Sequence, residues 1–351
     1  MIRLSSPKRL KHLMEDSART PARPKTALLL INTGSPEAPE TGAVREYLAE
    51  FLSDSRVIEL PKWKWWPILH GIILRVRPAK SAKRYQGVWT EEGSPLIVHT
   101  QKTARKLQQK LGDGVRVVWA MRYGKPAVEA CVRRLVEKEG IERLLVMPLF
   151  AQYAAQTSAA CLDEVFETAL SMRNVPALRT VREYHLEPDY IHALALHIER
   201  FWDKAGRPMD AGGRLLMSFH GIPAKSTALG DVYEAQCHET AAALASRLNL
   251  HENEWAVSFQ SRFGRDEWLQ PYTLPFVEKL AREGLPRIDV VCPGFAADCL
   301  ETIEEIGDEL RGAYQKANPG GVFHYIPALN ESDEAVEAYA AIARRELSGW
   351  I

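Results

Sequence analysis

Long apolar runs are missing from the sequence. No stretch reaches the roughly 18 consecutive apolar residues that a membrane-spanning helix needs, so no transmembrane segment is expected. Residues 1–25 carry seven Lys/Arg and two acids with no continuous apolar core, which excludes a secretory signal and reads as a mobile tail. Cysteine is sparse and scattered, at Cys131, Cys161, Cys237, Cys292 and Cys299, with no CxxC pair. That excludes a disulfide framework or zinc ribbon and suits a reducing compartment. Net charge is absent too: 45 Lys plus Arg face 45 Asp plus Glu, so there is no broad basic field and no nucleic-acid partner is expected. No GxGxxG follows the first apolar strand, and neither GxxxxGK[ST] nor GxSxG occurs. These gaps exclude the dinucleotide cradle, the NTP phosphate loop and the hydrolase elbow.

What is present is a regular alternation. At 351 residues and 46% hydrophobic content the chain has room for two domains with real cores. Apolar strands are predicted at 27–31, 115–120, 144–147, 178–182, 215–220, 256–259, 288–292 and 322–326. Helical spacing is predicted over 41–52, 126–138, 157–171, 188–204, 231–248, 273–283, 299–315 and 332–347. Strands separated by helices of this length imply an α/β fold of parallel sheets.

The two halves echo each other. Leu30-Ile31-Asn32-Thr33-Gly34-Ser35-Pro36 parallels Met217-Ser218-Phe219-His220-Gly221-Ile222-Pro223, Ala120 to Gly124 parallels Gln260 to Gly264, and Val146 to Ala151 parallels Val291 to Ala296. Three matches in one order argue for two copies of one unit, with Thr33 in the place of His220. The first copy carries extra chain between its first two landmarks. It includes Lys62 to Arg84, with seven Lys/Arg, no acid, and Trp63, Trp65 and Trp66 among aliphatic residues. Tryptophan beside lysine suits a membrane interface or a flat, greasy anion. It also fits an amphipathic helix packed on the core with a solvated basic edge.

Candidate chemistry sits in the second copy. The run Leu215 to Phe219 reads as a buried strand stopped by Gly221 and Pro223, so His220 is the last side chain before the turn. Carboxyl ends of parallel strands are where ligands gather; a histidine that merely bonds a loop is the alternative. Farther on, Glu301, Glu305 and Asp308 are spaced to share one face of a helix. Such a row could bind or conduct a divalent cation. Asp298 and Glu301 equally have the spacing of a capping box.

At these residues the chain resembles the ferrochelatase family, in its shorter bacterial, Gram-negative form. The matching blocks include Gly93-Ser94-Pro95-Leu96, Met121-Arg122-Tyr123-Gly124, Gln152-Tyr153, Ser218-Phe219-His220-Gly221, Gln260-Ser261-Arg262, Glu267-Trp268-Leu269, Asp298 through Glu301-Thr302, and Leu329-Asn330-Glu331-Ser332. The resemblance implies two Rossmann-like, chelatase-like domains with a porphyrin cleft between them. The first would span 26–176 plus 325–351, with a lip at 62–84, and the second 177–324. The implied reaction is insertion of Fe²⁺ into protoporphyrin IX with loss of two protons, the last step of haem biosynthesis. His220 and Glu301 would be the catalytic and metal residues, Glu305 and Asp308 would deliver iron, and Thr33, Arg122, Tyr153 and Trp268 would line the porphyrin site. Some relatives have histidine where Cys299 stands, so no role of that histidine transfers. No cofactor beyond substrate Fe²⁺ is expected, and no iron–sulfur cluster. The expected location is cytoplasmic, with peripheral contact to the anionic inner face of the membrane through 62–84. A non-catalytic tetrapyrrole carrier and a cobalt or nickel chelatase of the same fold are the alternatives.

Overall fold

The run Ala27-Leu28-Leu29-Leu30-Ile31 is wholly buried, as a strand covered on both faces must be. In the computed structural model, which describes residues 24–264 and 266–351, it forms β1 (Thr26–Gly34). Three more strands join it: β2 (Arg116–Tyr123), β3 (Arg143–Pro148) and β4 (Ala177–Thr180), in a parallel sheet of order β2-β1-β3-β4. The second copy builds β5 (Arg214–His220), β6 (Trp255–Gln260), β7 (Arg287–Val291) and β8 (Val322–Tyr325) into a parallel sheet of order β6-β5-β7-β8. The order is the same in both sheets, which is what the internal repeat leads one to expect. The expected tail at 1–25 lies outside the described residues but for its last two.

Successive strand residues point to opposite faces, and that alternation distributes the core. Leu28 and Leu30 of β1, with Leu215, Met217 and Phe219 of β5, enter one apolar cluster shared by the two sheets. Ala27, Leu29 and Ile31 face a cluster private to the first sheet, and Leu216 faces one private to the second.

The helices before β5 are α1 (Thr41–Ser53), α2 (Lys62–Ile68), α3 (Leu74–Val88), α4 (Pro95–Leu111), α5 (Val128–Arg133), α6 (Ala160–Leu170) and α7 (Pro188–Ala205). After it come α8 (Tyr233–Arg247), α9 (Thr273–Arg282), α10 (Arg311–Ala317) and α11 (Asp333–Glu346). Residues of α7, α8 and α11 fill the shared cluster between the sheets. At the start of α11 the Ser332 hydroxyl accepts the Ala335 N–H at 3.2 Å, with Asp333 and Glu334 in the first turn and Arg344 and Arg345 in the last. That is the charge order a helix dipole favours.

Two expectations need correction. β4 pairs with β3, so the first sheet runs past the expected boundary at 176. The strand is short and only partly buried, and its sequence carries no strong apolar run to assign it to one sheet. The repeat register also slips in one place. Pro126 accepts the Met121 N–H at 2.8 Å, and Pro271 accepts the Phe259 N–H at 2.9 Å. With Asn32 beside Met121 and Phe219 beside Phe259, Thr33 does match His220, but Tyr123 rather than Met121 is the counterpart of Ser261.

Candidate metal and macrocycle site

In a sheet of order β6-β5-β7-β8 the path of the chain reverses between β5 and β7, and ligands gather outside the carboxyl ends at such a switch. His220 is the last residue of β5. β7 leads through a loop into a π-helix at Glu301–Leu310. Of the two sequence-predicted site residues, His220 thus ends one strand that flanks the switch, and Glu301 opens the helix that follows the other.

Gly221 makes the strand end possible. A Cβ at this position would lie 2.9 Å from the Gln260 carbonyl oxygen and 3.0 Å from the Trp268 ring. The imidazole of His220 is half-buried, with the rings of Trp268 and Phe295 each 6.3 Å away. Its Nδ1 lies 2.6 Å from the Gly221 carbonyl oxygen. A carbonyl only accepts, so Nδ1 is a donor, and in the neutral ring the lone pair is on Nε2. Tyr233 donates its hydroxyl to the His220 carbonyl at 2.9 Å and fixes the backbone.

The acids are organised by the π-helix. Gln260 donates to the backbone carbonyl of Glu301 at 2.9 Å. Glu305 is held by Ser261, whose N–H and hydroxyl reach its two oxygens at 2.7 and 2.6 Å. Ser261 has φ of 65°, a strained value for a residue with a side chain, and it turns both donors onto one carboxylate. Burial raises the pKa of Glu305, partly countered by the Ser261 hydrogen bonds and by His220, while Glu301 raises it further. Glu305 therefore lies within electrostatic reach of both.

The capping-box alternative fails. It requires the Glu301 side chain to accept the Asp298 N–H, but that N–H goes to Asn330 Oδ1 at 2.8 Å. The buried Asp298 carboxylate accepts instead from Tyr325 Oη at 2.5 Å, Asn330 Nδ2 at 2.8 Å, Thr302 Oγ1 at 2.9 Å and the Ala328 N–H at 3.3 Å. Asp308 is a correction of the opposite kind. Glu301, Glu305 and Asp308 share a face only under α-helical winding. The i→i+5 bonding of a π-helix widens each turn, and Asp308 stands exposed to solvent, away from the half-buried pair.

Three residues of the first domain feel the charge of Glu301. Tyr47 is nearly buried and gives its hydroxyl to the Gly34 carbonyl at 3.2 Å. Its phenol is pushed far up, by burial first and then by Glu301. Tyr85 on α3 is pushed up by desolvation, Tyr47 and Glu301. Arg77, on the same helix, sits 5.7 Å over the Phe263 ring; burial lowers its pKa, with Glu301 among the opposing charges. Among the described residues no three His, Cys, Asp or Glu side chains are grouped as a resident metal centre.

The ferrochelatase family model matches residues 25–347. The chain belongs to the ferrochelatase family. It is therefore an enzyme, a lyase of the chelatase type. A ferrochelatase from Herminiimonas arsenicoxydans is 51% identical over 330 residues, 93% of this chain and 88% of that one. One from Chromobacterium violaceum is 47% identical over 344 residues, 97% of this chain and 93% of that one. Among solved structures, SirB from Bacillus subtilis with Fe3+ superposes with a TM-score of 0.55 at 11% identity, covering 93% of this chain and 97% of that one. A sirohydrochlorin chelatase from Bacillus subtilis subspecies spizizenii with cobalt gives 0.54 at 10% identity, covering 92% and 96%. At such identities these two speak for the fold alone.

The other predicted ferrochelatase positions are placed as follows. Trp268 is buried beside His220, edge-on to Phe263 at 4.9 Å. Thr33 lies one residue before the end of β1, half-buried, its N–H on Asn32 Oδ1 at 2.8 Å. Tyr153 lies under the Arg182 guanidinium at 4.0 Å. Arg122 is committed within the first domain, to Asp54 at 2.6 Å and Glu164 at 3.0 Å, so a propionate would have to displace two carboxylates. Sequence reasoning missed Tyr47, Tyr85, Arg77 and Ser261 as parts of the site. Ser261 lies in the Gln260-Ser261-Arg262 motif, but its left-handed backbone is invisible in a lone sequence. The five cysteines are all buried and unpaired.

Proposed function

We propose that His220 and Glu301 carry out the reaction of this enzyme, insertion of Fe²⁺ into protoporphyrin IX to give haem. Two pyrrole protons leave and one metal enters. His220 accepts protons through Nε2 and touches the metal, while Glu301 faces it across the ring. The observation that carries this reading is the Nδ1 bond to Gly221, which leaves Nε2 as the ring nitrogen free to accept a proton or meet a metal. Glu305 passes hydrated Fe²⁺ toward the ring; carboxylate oxygens bind it without trapping it as thiolates would. Trp268, Phe295 and Tyr85 flank the macrocycle. Arg77 is better placed than Arg122 to meet a propionate, since its main contact is an aromatic face. The test is His220→Ala, which should abolish insertion while added protoporphyrin still quenches tryptophan fluorescence. Loss of both together would favour a folding defect over a catalytic role.

The lip supports a second part of the reading. Trp63, Trp66, Ile68, Ile72 and Val76 are exposed, and Lys62, Lys64 and Arg75 stand among them. Apolar side chains beside cations suit the interface of an anionic bilayer, so the enzyme works as a peripheral protein on the cytoplasmic face. Among the described residues no helix is long and apolar enough to cross a membrane. The carrier and the cobalt or nickel chelatase have no observation of their own in their favour.

A further inference from the structure

The lip helix α3 touches the second domain through two arginines. Arg77 and Arg84 are seven residues apart, two helical turns, and so share a face. Arg77 covers Phe263. Arg84 forks onto Glu304: Nε donates to Oε1 at 2.8 Å, Nη2 meets Oε2, and the Glu309 carboxylate lies 3.9 Å off. Glu304 and Glu309 are five apart. At 3.6 residues per turn they would diverge, but the i→i+5 winding of the π-helix brings both onto one guanidinium. The pair is partly withdrawn from water, with side-chain exposures of 36% for Arg84 and 18% for Glu304. A bidentate, charge-assisted contact of this kind is stronger than an ordinary surface pair.

The neighbouring residue faces inward. Tyr85 lies within the field of Glu301. Tyr85 itself packs against the apolar cluster of the lip and α1, so one residue of α3 grips the acid-bearing helix while the next is seated in the lip's own anchor. The lip has its own apolar anchor to α1, through Leu69, Leu74 and Ala82 against Val44, Leu48 and Leu52, so it does not need Arg84 in order to fold.

We propose that Arg84 is a positioning residue whose fork on Glu304 clasps the lip helix to the π-helix and sets the opening of the cleft over Glu301. The consequence for turnover rests on the reading of that cleft as the porphyrin site; the clasp itself does not.

Arg84→Gln, Glu304→Gln and their double variant test it in the full-length enzyme. Hydrogen exchange over Leu74–Val88 should quicken about fivefold in each single variant, and the double should be no faster than either. Stopped-flow tryptophan quenching should show protoporphyrin IX leaving about fivefold faster in each single, with KM for porphyrin rising in step and KM for Fe²⁺ moving less than twofold. Arg84→Lys should recover part of the effect. Unchanged exchange in α3 in both singles would overturn the clasp, as would a double variant whose effect is the product of the two singles. Quickened exchange with unaltered porphyrin release would overturn the assignment of Arg84 to the cleft opening. A parent enzyme that protoporphyrin does not quench would count against the porphyrin reading, while the exchange data still decide the clasp.

Discussion

A carbonyl oxygen decides what His220 can do. Because Gly221 occupies Nδ1, only the other nitrogen is free for the role proposed for His220, and its position follows from β5 ending in Gly-x-Pro. This much was legible: an apolar run with a hard stop places a side chain at a strand end whatever the rest of the fold. Its neighbours were not legible. Ser261 reaches Glu305 only through a left-handed backbone, and Arg84 reaches Glu304 from another domain. Glu305 carries a testable cost. Burial raises its pKa, so its folded form holds a proton more tightly than its unfolded form. The fold therefore gains from protonation and loses stability as pH rises from the ordinary glutamate range through the raised value. Glu305→Gln, which imitates the protonated acid, should melt higher than the parent at pH 8 and alike at pH 4, in thermal scans at both pH values. The same variant should raise KM for Fe²⁺ several-fold with a smaller change in kcat. An unchanged iron dependence would remove Glu305 from iron delivery.

At the scale of elements, the π-helix is where sequence reading and structure part. Spacing by three and four is the right test for an α-helix, and it grouped Asp308 with the two site acids; the wider winding turns Asp308 out and brings Glu304 and Glu309 to Arg84. No local pattern announces a π-helix. Its start depends on long-range partners, above all Asp298, which gathers donors from Thr302, Tyr325, Asn330 and Ala328. Asp298→Ala strands those donors and should cost about 3 kcal/mol, read as a lower urea midpoint at constant slope. A midpoint unchanged within error would mean that the hub is dispensable. The lip, by contrast, was visible as a one-sign charge run with tryptophans. Changing Lys62, Lys64 and Arg75 to Gln should weaken sedimentation with anionic vesicles by about tenfold or more, at about 1 kcal/mol per charge, and leave binding to neutral vesicles alone. Equal sedimentation would leave the exposed tryptophans without a membrane role.

At the scale of the molecule, two copies of one unit share a core. The repeat was readable because three landmarks recur in order, and the identical strand orders agree with it. The border between the halves was not, because β4 is a short edge strand and α7, α8 and α11 serve both sheets at once. Domains that share a cluster of this extent should unfold together. Calorimetry of the full chain should give one transition whose calorimetric and van't Hoff enthalpies agree, and two separated transitions would show that the common core is not cooperative. The halves also meet through the lip, where Arg84 pairs with Glu304 and Arg77 covers Phe263.

The most direct measurement is an anaerobic absorbance trace of protoporphyrin IX with Fe²⁺ and the His220→Ala enzyme, run beside tryptophan quenching by the same porphyrin. Insertion should fall by about a thousandfold with quenching kept near the parent level. Turnover within tenfold of the parent would contradict the role given to His220.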